Sequence, residues 1–448
     1  MVELVDLTGV NEIAEHRGSS WRIRMSTGTA TRSRHAAAAA AAVVLVMVGV
    51  GSAAALSAAA LSGAALSAPT LTFGTLDTLP GAAATEASAG LSQAMFELHW
   101  ADFEPAPGVF DPSYVAIMRS CLAAYQAAGM HVTLGLGLQD PPAWVFSLPD
   151  SSYMDQNGNV SDEADFVYSE AVRRAADGYL EQVAADFRLS SFWAIRLTSG
   201  GDAEMLYPPG GTYWAFSSSA LNGAGLPPGM TPNPDPEFRP GNQGLSPDQV
   251  TQWISWYVGG LDNVTAWQMS TLGSLGFSGY YETVTPGSGA RPYYVTAAEQ
   301  SSLPANGGTI AVGAVWDLYY AQLPDKANVI AYISTVADGS GGNDTCQPGD
   351  NAVPLTSPSM NSWSSTRWIT RIASQNGLLV GGENPGYNMP AALDASYVTG
   401  MMTAAISQAR SCGFTVFYWA HDIRLWGGII PFSDYTTAIN SSVPDALP

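Results

Sequence analysis

From about residue 69 onward, short apolar runs alternate with longer stretches in which apolar residues recur at helical spacing. The apolar runs are Thr70 to Leu76, Gln93 to His99, His131 to Gly137, Phe192 to Thr198, Tyr280 to Thr285, Val329 to Thr335, Gly377 to Gly381 and Gly413 to Trp419. Each is too short for a helix of ordinary length and reads as a strand, and their alternation with helix-like stretches is the signature of parallel βα units. Between them, Pro112 to Ala128 reads as a helix opened by Asp111 as N-cap with Pro112 in its first turn. Asp165 to Phe187 places Val172, Ala176, Tyr179, Val183 and Phe187 on one helical face, and Pro247 to Tyr257 and Ser396 to Ser411 precede the fifth and eighth strands. Eight strands alternating with helices predict an α/β fold, a (β/α)8 TIM barrel with long loops on its active face. The longest interruption, Leu206 to Gly244, is rich in Pro, Gly and Asn. Such an insert either walls a cleft or is a flexible surface excursion.

The first 68 residues read differently. From Met25 a basic stretch leads into an uncharged tract from Ala36 to Val50 and then small residues through Ala68. That order matches a signal peptide, with Met25 a possible initiator, and the tract from Ala36 to Leu66 is also long enough for an uncleaved membrane anchor. The expected division is therefore a leader over residues 1–68 and a catalytic barrel over 69–448, on a secreted or cell-surface protein.

Composition narrows the chemistry. The chain of 448 residues has a formal net charge of −21 and 46% hydrophobic residues, and its 17 basic residues include a single lysine, Lys326. A nucleic-acid partner is excluded, because phosphate binding needs a surplus of Lys and Arg. Cys121, Cys346 and Cys412 lack the close pairs of a zinc site and allow one disulfide, whose partners the spacing does not choose. Beyond the leader only His99, His131 and His421 remain, and no Gly-rich phosphate loop is present, so neither metal nor cofactor is expected.

Two glutamates then stand out. Glu204, in Ser199-Gly-Gly-Asp-Ala-Glu204-Met-Leu-Tyr-Pro208, follows the fourth strand, and Glu383, in Leu378-Leu-Val-Gly-Gly-Glu383-Asn-Pro-Gly-Tyr387, follows the seventh. A barrel enzyme displays its reactive groups at strand ends, and two carboxyls are the minimum for glycoside hydrolysis, one giving a proton and the other attacking the anomeric carbon or activating water. Asp202 with Met205, Leu206 and Tyr207 would raise the pKa of Glu204, while Asn384 and backbone amides loosened by Gly381 and Gly382 would hold Glu383 ionised. Sugar sites also use aromatic faces. Trp100, Trp144, Tyr207, Tyr387, Trp419 and Trp426 lie near predicted strand ends, Trp100 and Trp419 most directly. Glu97, His99, His421 and Asp422 are further candidates for sugar hydroxyls, and Arg196 is expected to pair with an interior carboxylate such as Glu97.

Phe96-Glu-Leu-His-Trp100-Ala-Asp-Phe-Glu104-Pro105, Pro107-Gly-Val-Phe-Asp111, Gly129-Met-His-Val-Thr-Leu-Gly135 and Pro141-Pro-Ala-Trp144 together resemble the clan A glycoside hydrolases, most nearly the family 42 β-galactosidase barrel. The resemblance covers roughly residues 90–205 and implies a retaining glycosidase acting on an oligo- or polysaccharide, with Glu204 as acid/base, Glu383 as nucleophile and Trp419 as a sugar-binding floor. The clan has Asn before the acid where this chain has Ala203. Gly200-Gly-Asp-Ala-Glu204-Met-Leu-Tyr-Pro208 is also similar to the acid motif of β-amylases, inverting hydrolases of α-1,4-glucans, save for Leu206 in place of Arg. The remaining alternative is a surface barrel that binds carbohydrate without cleaving it.

Overall fold

The computed structural model describes residues 70–287, 289–338, 344–385, 395–420, 423–426 and 431–441, with three short segments ahead of them at 3–5, 11–17 and 20–25. Those three segments form an antiparallel sheet. The apolar tract at 36–66 lies outside the described residues. No helix among the described residues is long and apolar enough to cross a membrane.

Eight strands close into a barrel: β1 (Thr72–Thr75), β2 (Gln93–Glu97), β3 (His131–Gly135), β4 (Ala194–Leu197), β5 (Tyr280–Thr285), β6 (Val329–Ile333), β7 (Leu379–Glu383) and β8 (Val416–Trp419). Every neighbouring pair is parallel, and β8 pairs with β1 to complete the ring. The helices that follow these strands are α1 (Ala83–Ser88), α2 (Pro112–Ala127), α3 (Glu170–Asp186), α4 (Pro247–Ser274), α5 (Pro292–Gln300), α6 (Trp316–Gln322), α7 (Ser365–Gln375), α8 (Ala395–Ser411) and α9 (Phe432–Asn440). The eight expected strands are all present, and the protein is a (β/α)8 barrel.

Asp111 caps α2 as expected, accepting from the amides of Ser113 and Tyr114. The fourth helix departs from expectation. It is 28 residues long and runs on past Tyr257 to Ser274, opened by a capping box of Ser246 and Gln249. The Gly259-Gly260 pair that ends the apolar period in sequence is a packing feature, because a Cβ at Gly260 would meet the Tyr207 hydroxyl and Val167 at 2.6 Å. Tyr207 uses that space to donate to the Tyr257 carbonyl at 2.7 Å.

The insert at 206–244 is not a loose excursion. Tyr207, Tyr213, Ala215 and Phe216 are buried in it. Tyr207 stacks on Tyr257 with ring centroids 4.1 Å apart, Trp253 Nε1 donates to Asn233 Oδ1 at 3.0 Å, and the Trp214 amide donates to the Tyr257 hydroxyl. This aromatic layer clamps the chain that leaves β4 onto α4.

Cys346 and Cys412 form the disulfide, which ties the loop after β6 to the end of α8 across 66 residues. A closed loop of that size restricts the unfolded chain by about 4 kcal/mol on the chain-entropy account. Cys121 stays outside the bridge.

Candidate active site

Side chains pointing into a small barrel come from alternate strand positions. Met95, Ala194, Tyr280, Val284, Ile330, Tyr332, Val416 and Tyr418 form an apolar and aromatic interior cluster. On the same alternation Arg196 of β4, Glu282 of β5 and Glu383 of β7 point inward, which places three charges in the core. Arg196 Nε donates to Glu282 Oε2 at 3.3 Å and its Nη1 to Glu383 Oε2 at 3.4 Å. Tyr332 of β6 donates to the same Glu383 oxygen at 2.6 Å, and its ring lies 4.2 Å from the Arg196 guanidinium. Thr133 of β3 donates to Glu282 Oε1 at 3.4 Å and pairs with the Tyr418 hydroxyl at 2.8 Å.

Burial penalises every carboxylate here. It pushes Glu282 up to about 7 despite Arg196, with the nearby charge of Glu383 adding to the rise. Glu383 is also raised by burial, with Arg196 and the Tyr332 hydroxyl opposing. Among its neighbours, Arg196 is held charged. Isolated charges are not stable in such a core, and here cation, carboxylates and hydroxyls pair with one another, with Arg196 Nη2 left without a hydrogen-bond partner among the described residues.

Glu204 arrives by a different route. β4 ends at Leu197, and the chain turns through Gly200 (φ 136°) and Ala203 (φ 58°) before Glu204. The Glu204 carbonyl accepts from the Ser199 amide and from the hydroxyls of Thr198 and Ser199, and the next amide, that of Met205, donates to Val284 at the end of β5. Ahead of it, the Glu163 carboxylate accepts from the Gly201 amide at 3.1 Å, and a Cβ at Gly201 would overlap that carboxylate. Ala203 in the left-handed region carries strain of the order of 1–3 kcal/mol, and strain held this firmly is a mark of functional sites. The Glu204 side chain accepts from Ser334 Oγ at 2.6 Å.

Glu204 and Glu383 are therefore gripped from one strand. Tyr332 holds Glu383 and Ser334, two positions further along β6 and its extension, holds Glu204. Two residues on one strand face span roughly 6.6 Å. Both carboxylates thus meet at the C-terminal end of the barrel.

Around them the other candidate residues divide. Glu97 closes β2 facing inward, accepts from Gln139 Nε2 at 2.7 Å and occupies space that a side chain at Gly135 would fill. His99 pairs with Asp140 at 3.0 Å, and burial is outweighed by the acidic neighbours, so its pKa is raised. Trp100 offers no face to a ligand: it is fully buried, stacked on Tyr179 and donating to Glu104 Oε2 at 2.8 Å. Tyr207 is enclosed in the aromatic layer on α4. Trp419 is buried on the outer side of β8 against Tyr435 of α9, while Tyr418 takes the inward position. These three placements correct the expectation that Trp100, Tyr207 and Trp419 line a sugar site. Trp144 is half-buried, edge-on to Trp100, and Trp426 stacks on Phe432. Tyr387, His421 and Asp422 lie outside the described residues.

Two electrostatic expectations are also revised. Arg196 hydrogen-bonds Glu282 and Glu383, and Glu97 acts on it only through its charge. Asn384 does not support Glu383, because it brackets Ala420 at the end of β8, accepting from its amide at 2.7 Å. Tyr332, Ser334 and Glu282 were not anticipated. Their signals were present as Tyr332 and Ser334 at alternate positions in an apolar run, and as a lone acid between Tyr281 and Thr283.

Among the described residues no group of His, Cys, Asp and Glu could hold a metal ion. No protein-family profile and no curated protein matches the chain. Solved structures do. The catalytic domain of a β-amylase from Paenibacillus polymyxa aligns with a TM-score of 0.58 at 15% identity, covering 84% of this chain and 100% of that one. A GH5-4 broad-specificity endoglucanase from an uncultured bacterium aligns at 0.42 and 14% identity, over 82% of this chain and 84% of that one. A β-galactosidase from the Antarctic haloarchaeon Halorubrum lacusprofundi aligns at 0.46 and 14% identity, over 78% of this chain and 52% of that one. At these identities the likeness establishes the barrel fold, and the β-amylase alignment carries it.

Proposed function

We propose that this chain is a glycoside hydrolase in which Glu204 protonates the leaving glycosidic oxygen and Glu383 acts on the opposite side of the anomeric carbon. The observation that carries the reading is the common grip of β6, where Ser334 holds Glu204 and Tyr332 holds Glu383 at the catalytic end of the barrel. In the retaining course Glu383 is the nucleophile. Its attack forms a glycosyl ester as the leaving oxygen takes the Glu204 proton, and Glu204 then removes a proton from the water that hydrolyses the ester. Arg196 and Tyr332 fit this role, since both donors sit on Oε2 and leave the second oxygen for the sugar.

A second reading has its own support. The alignment with a β-amylase over the whole of that chain, and Ala203 where clan A retaining enzymes carry Asn, favour an inverting course on a glucan. Glu383 would then be the base that deprotonates water, with the carboxyls about 6.5–9.5 Å apart in place of the 5–5.5 Å of retaining enzymes. Proton NMR of the first-formed product separates the two: retention of anomeric configuration supports the nucleophile, and inversion the base. Saturable binding with no turnover on any linkage would refute both and leave a sugar-binding barrel. Export of the protein is part of the proposal, supported by the leader-like sequence of residues 25–68 and the disulfide, which forms readily in oxidising compartments.

A further inference from the structure

A cavity of about 620 Å³ opens on the catalytic end of the barrel, between the loop after β5 and the loop after β6. Its size is that of a small-molecule site. Its edge adjoins the catalytic groups: the amide of Gly287, a lining residue, donates to Thr335 Oγ1 at 2.7 Å, and Thr335 is the neighbour of Ser334, which holds Glu204. The proposed catalytic step uses none of its residues.

The lining has a consistent chemistry. Asn306, Thr309 and Asn361 supply neutral donors and acceptors at a partly open rim, Asp338 adds an acceptor, and Ala298 and Ile310 form an apolar base. The lining guanidinium, Arg291, lies 3.8 Å from the Trp368 ring, donates to the Trp363 carbonyl and feels the charge of the lining Asp338, while its Nε has no hydrogen-bond partner among the described residues. The lining cation is thus offset by the lining carboxylate, in a chain whose net charge of −21 repels anions, so the cavity favours a neutral ligand over a phosphate or carboxylate. At the mouth stands Tyr294, 54% exposed and edge-on to Tyr293, which is 55% exposed. Two adjacent exposed tyrosines are unusual where most large aromatics in this protein are buried, and a phenol ring beside amide and hydroxyl groups suits the alternating C–H and O–H faces of a neutral sugar.

We infer that this cavity is a distal saccharide-binding subsite, with Tyr294 as its stacking face and Asn306, Thr309 and Asn361 as its hydroxyl partners, so that the ligand is a neutral oligosaccharide longer than a disaccharide. The inference deepens the glycosidase reading and rests on it for the identity of the substrate. Its test is calorimetric binding of neutral di- to hexasaccharides of the malto, cello, xylo and manno series to the Glu204→Gln chain. At least one hexasaccharide binds more tightly than its disaccharide, Tyr294→Ala and Asn306→Ala each remove about tenfold of that gain, and Tyr294→Phe retains it. Unchanged thermal midpoints in the variants assign the loss to the site. Equal affinity of the variants and the parent, or no binding by any member, overturns the inference. The two proposals fail separately. Hydrolysis by the unmodified chain with unaltered binding in the variants removes the subsite alone, and chain-length-dependent binding without hydrolysis removes the glycosidase alone.

Discussion

The two carboxylates of this site are mounted in opposite ways. Glu383 is the last residue of a barrel strand, 8% exposed, and side chains from two other strands fix its head: Arg196 of β4 and Tyr332 of β6. Glu204 stands on a loop past the end of β4, where its carbonyl accepts from the Ser199 amide and the Thr198 hydroxyl, the Met205 amide donates to the Val284 carbonyl, and Ser334 donates to its head. The strand-borne group is controlled electrostatically and the loop-borne group is controlled by backbone shape. That division suits their proposed work, because the group that must stay ionised needs a cation and a donor, while the group that gains and loses a proton needs a fixed position.

The largest effect expected is the loss of either head. Glu204→Gln and Glu383→Gln should each lower kcat by about 10³-fold or more in a folded protein, read by rates on the best saccharide substrate. Tyr332→Phe comes next. It removes a donor to ionised Glu383, so kcat should fall about 10–100-fold and the acidic limb of the rate profile should move to higher pH. Ser334→Ala should reduce kcat about tenfold while leaving the limb set by Glu383 in place. A shift of the same limb in both variants would erase the distinction between the mounts.

Stability should separate them as well. The folded protein raises Glu282 to about 7 and Asp165 to about 8, both by burial. A carboxyl with a raised folded pKa contributes stability that is full below its unfolded pKa of about 4 and is lost as pH rises through the folded value. The thermal midpoint should therefore be higher at pH 5 than at pH 8, and Glu282→Gln should flatten part of that slope. The smallest effect belongs to the Glu204 loop, where Ala203→Gly should relieve the left-handed backbone and raise stability by about 0.5–1 kcal/mol in denaturant titration.

The barrel itself was legible from the eight apolar runs, and Tyr280–Thr285 was placed to the residue. Others were overextended, as at Gln93 to His99, where the strand stops at Glu97 and a helical turn begins at Trp100. Which face a residue takes was not legible. Parallel barrel strands are apolar on both sides, so nothing in Val416-Phe-Tyr-Trp419 tells that Tyr418 looks inward and Trp419 outward. Trp100 and Tyr207 looked available for sugar for another reason: the sequence does not show that Trp100 opens a buried helical turn or that Tyr207 packs on Tyr257. Glu204 and Glu383 stood out as candidates because each follows an apolar run and a pair of glycines, whereas Tyr332 and Ser334, which hydrogen-bond them, come from a strand that passes as ordinary core until the barrel closes.

The central claim is that two glutamates on different mounts perform one hydrolysis. It is tested most directly by incubating the chain with a panel of α- and β-linked oligosaccharides beside its Glu204→Gln and Glu383→Gln variants. The account predicts turnover of at least one member by the unmodified chain and its loss in both variants. Turnover that survives in either variant at the parent rate, or none by the unmodified chain on any linkage, would contradict it.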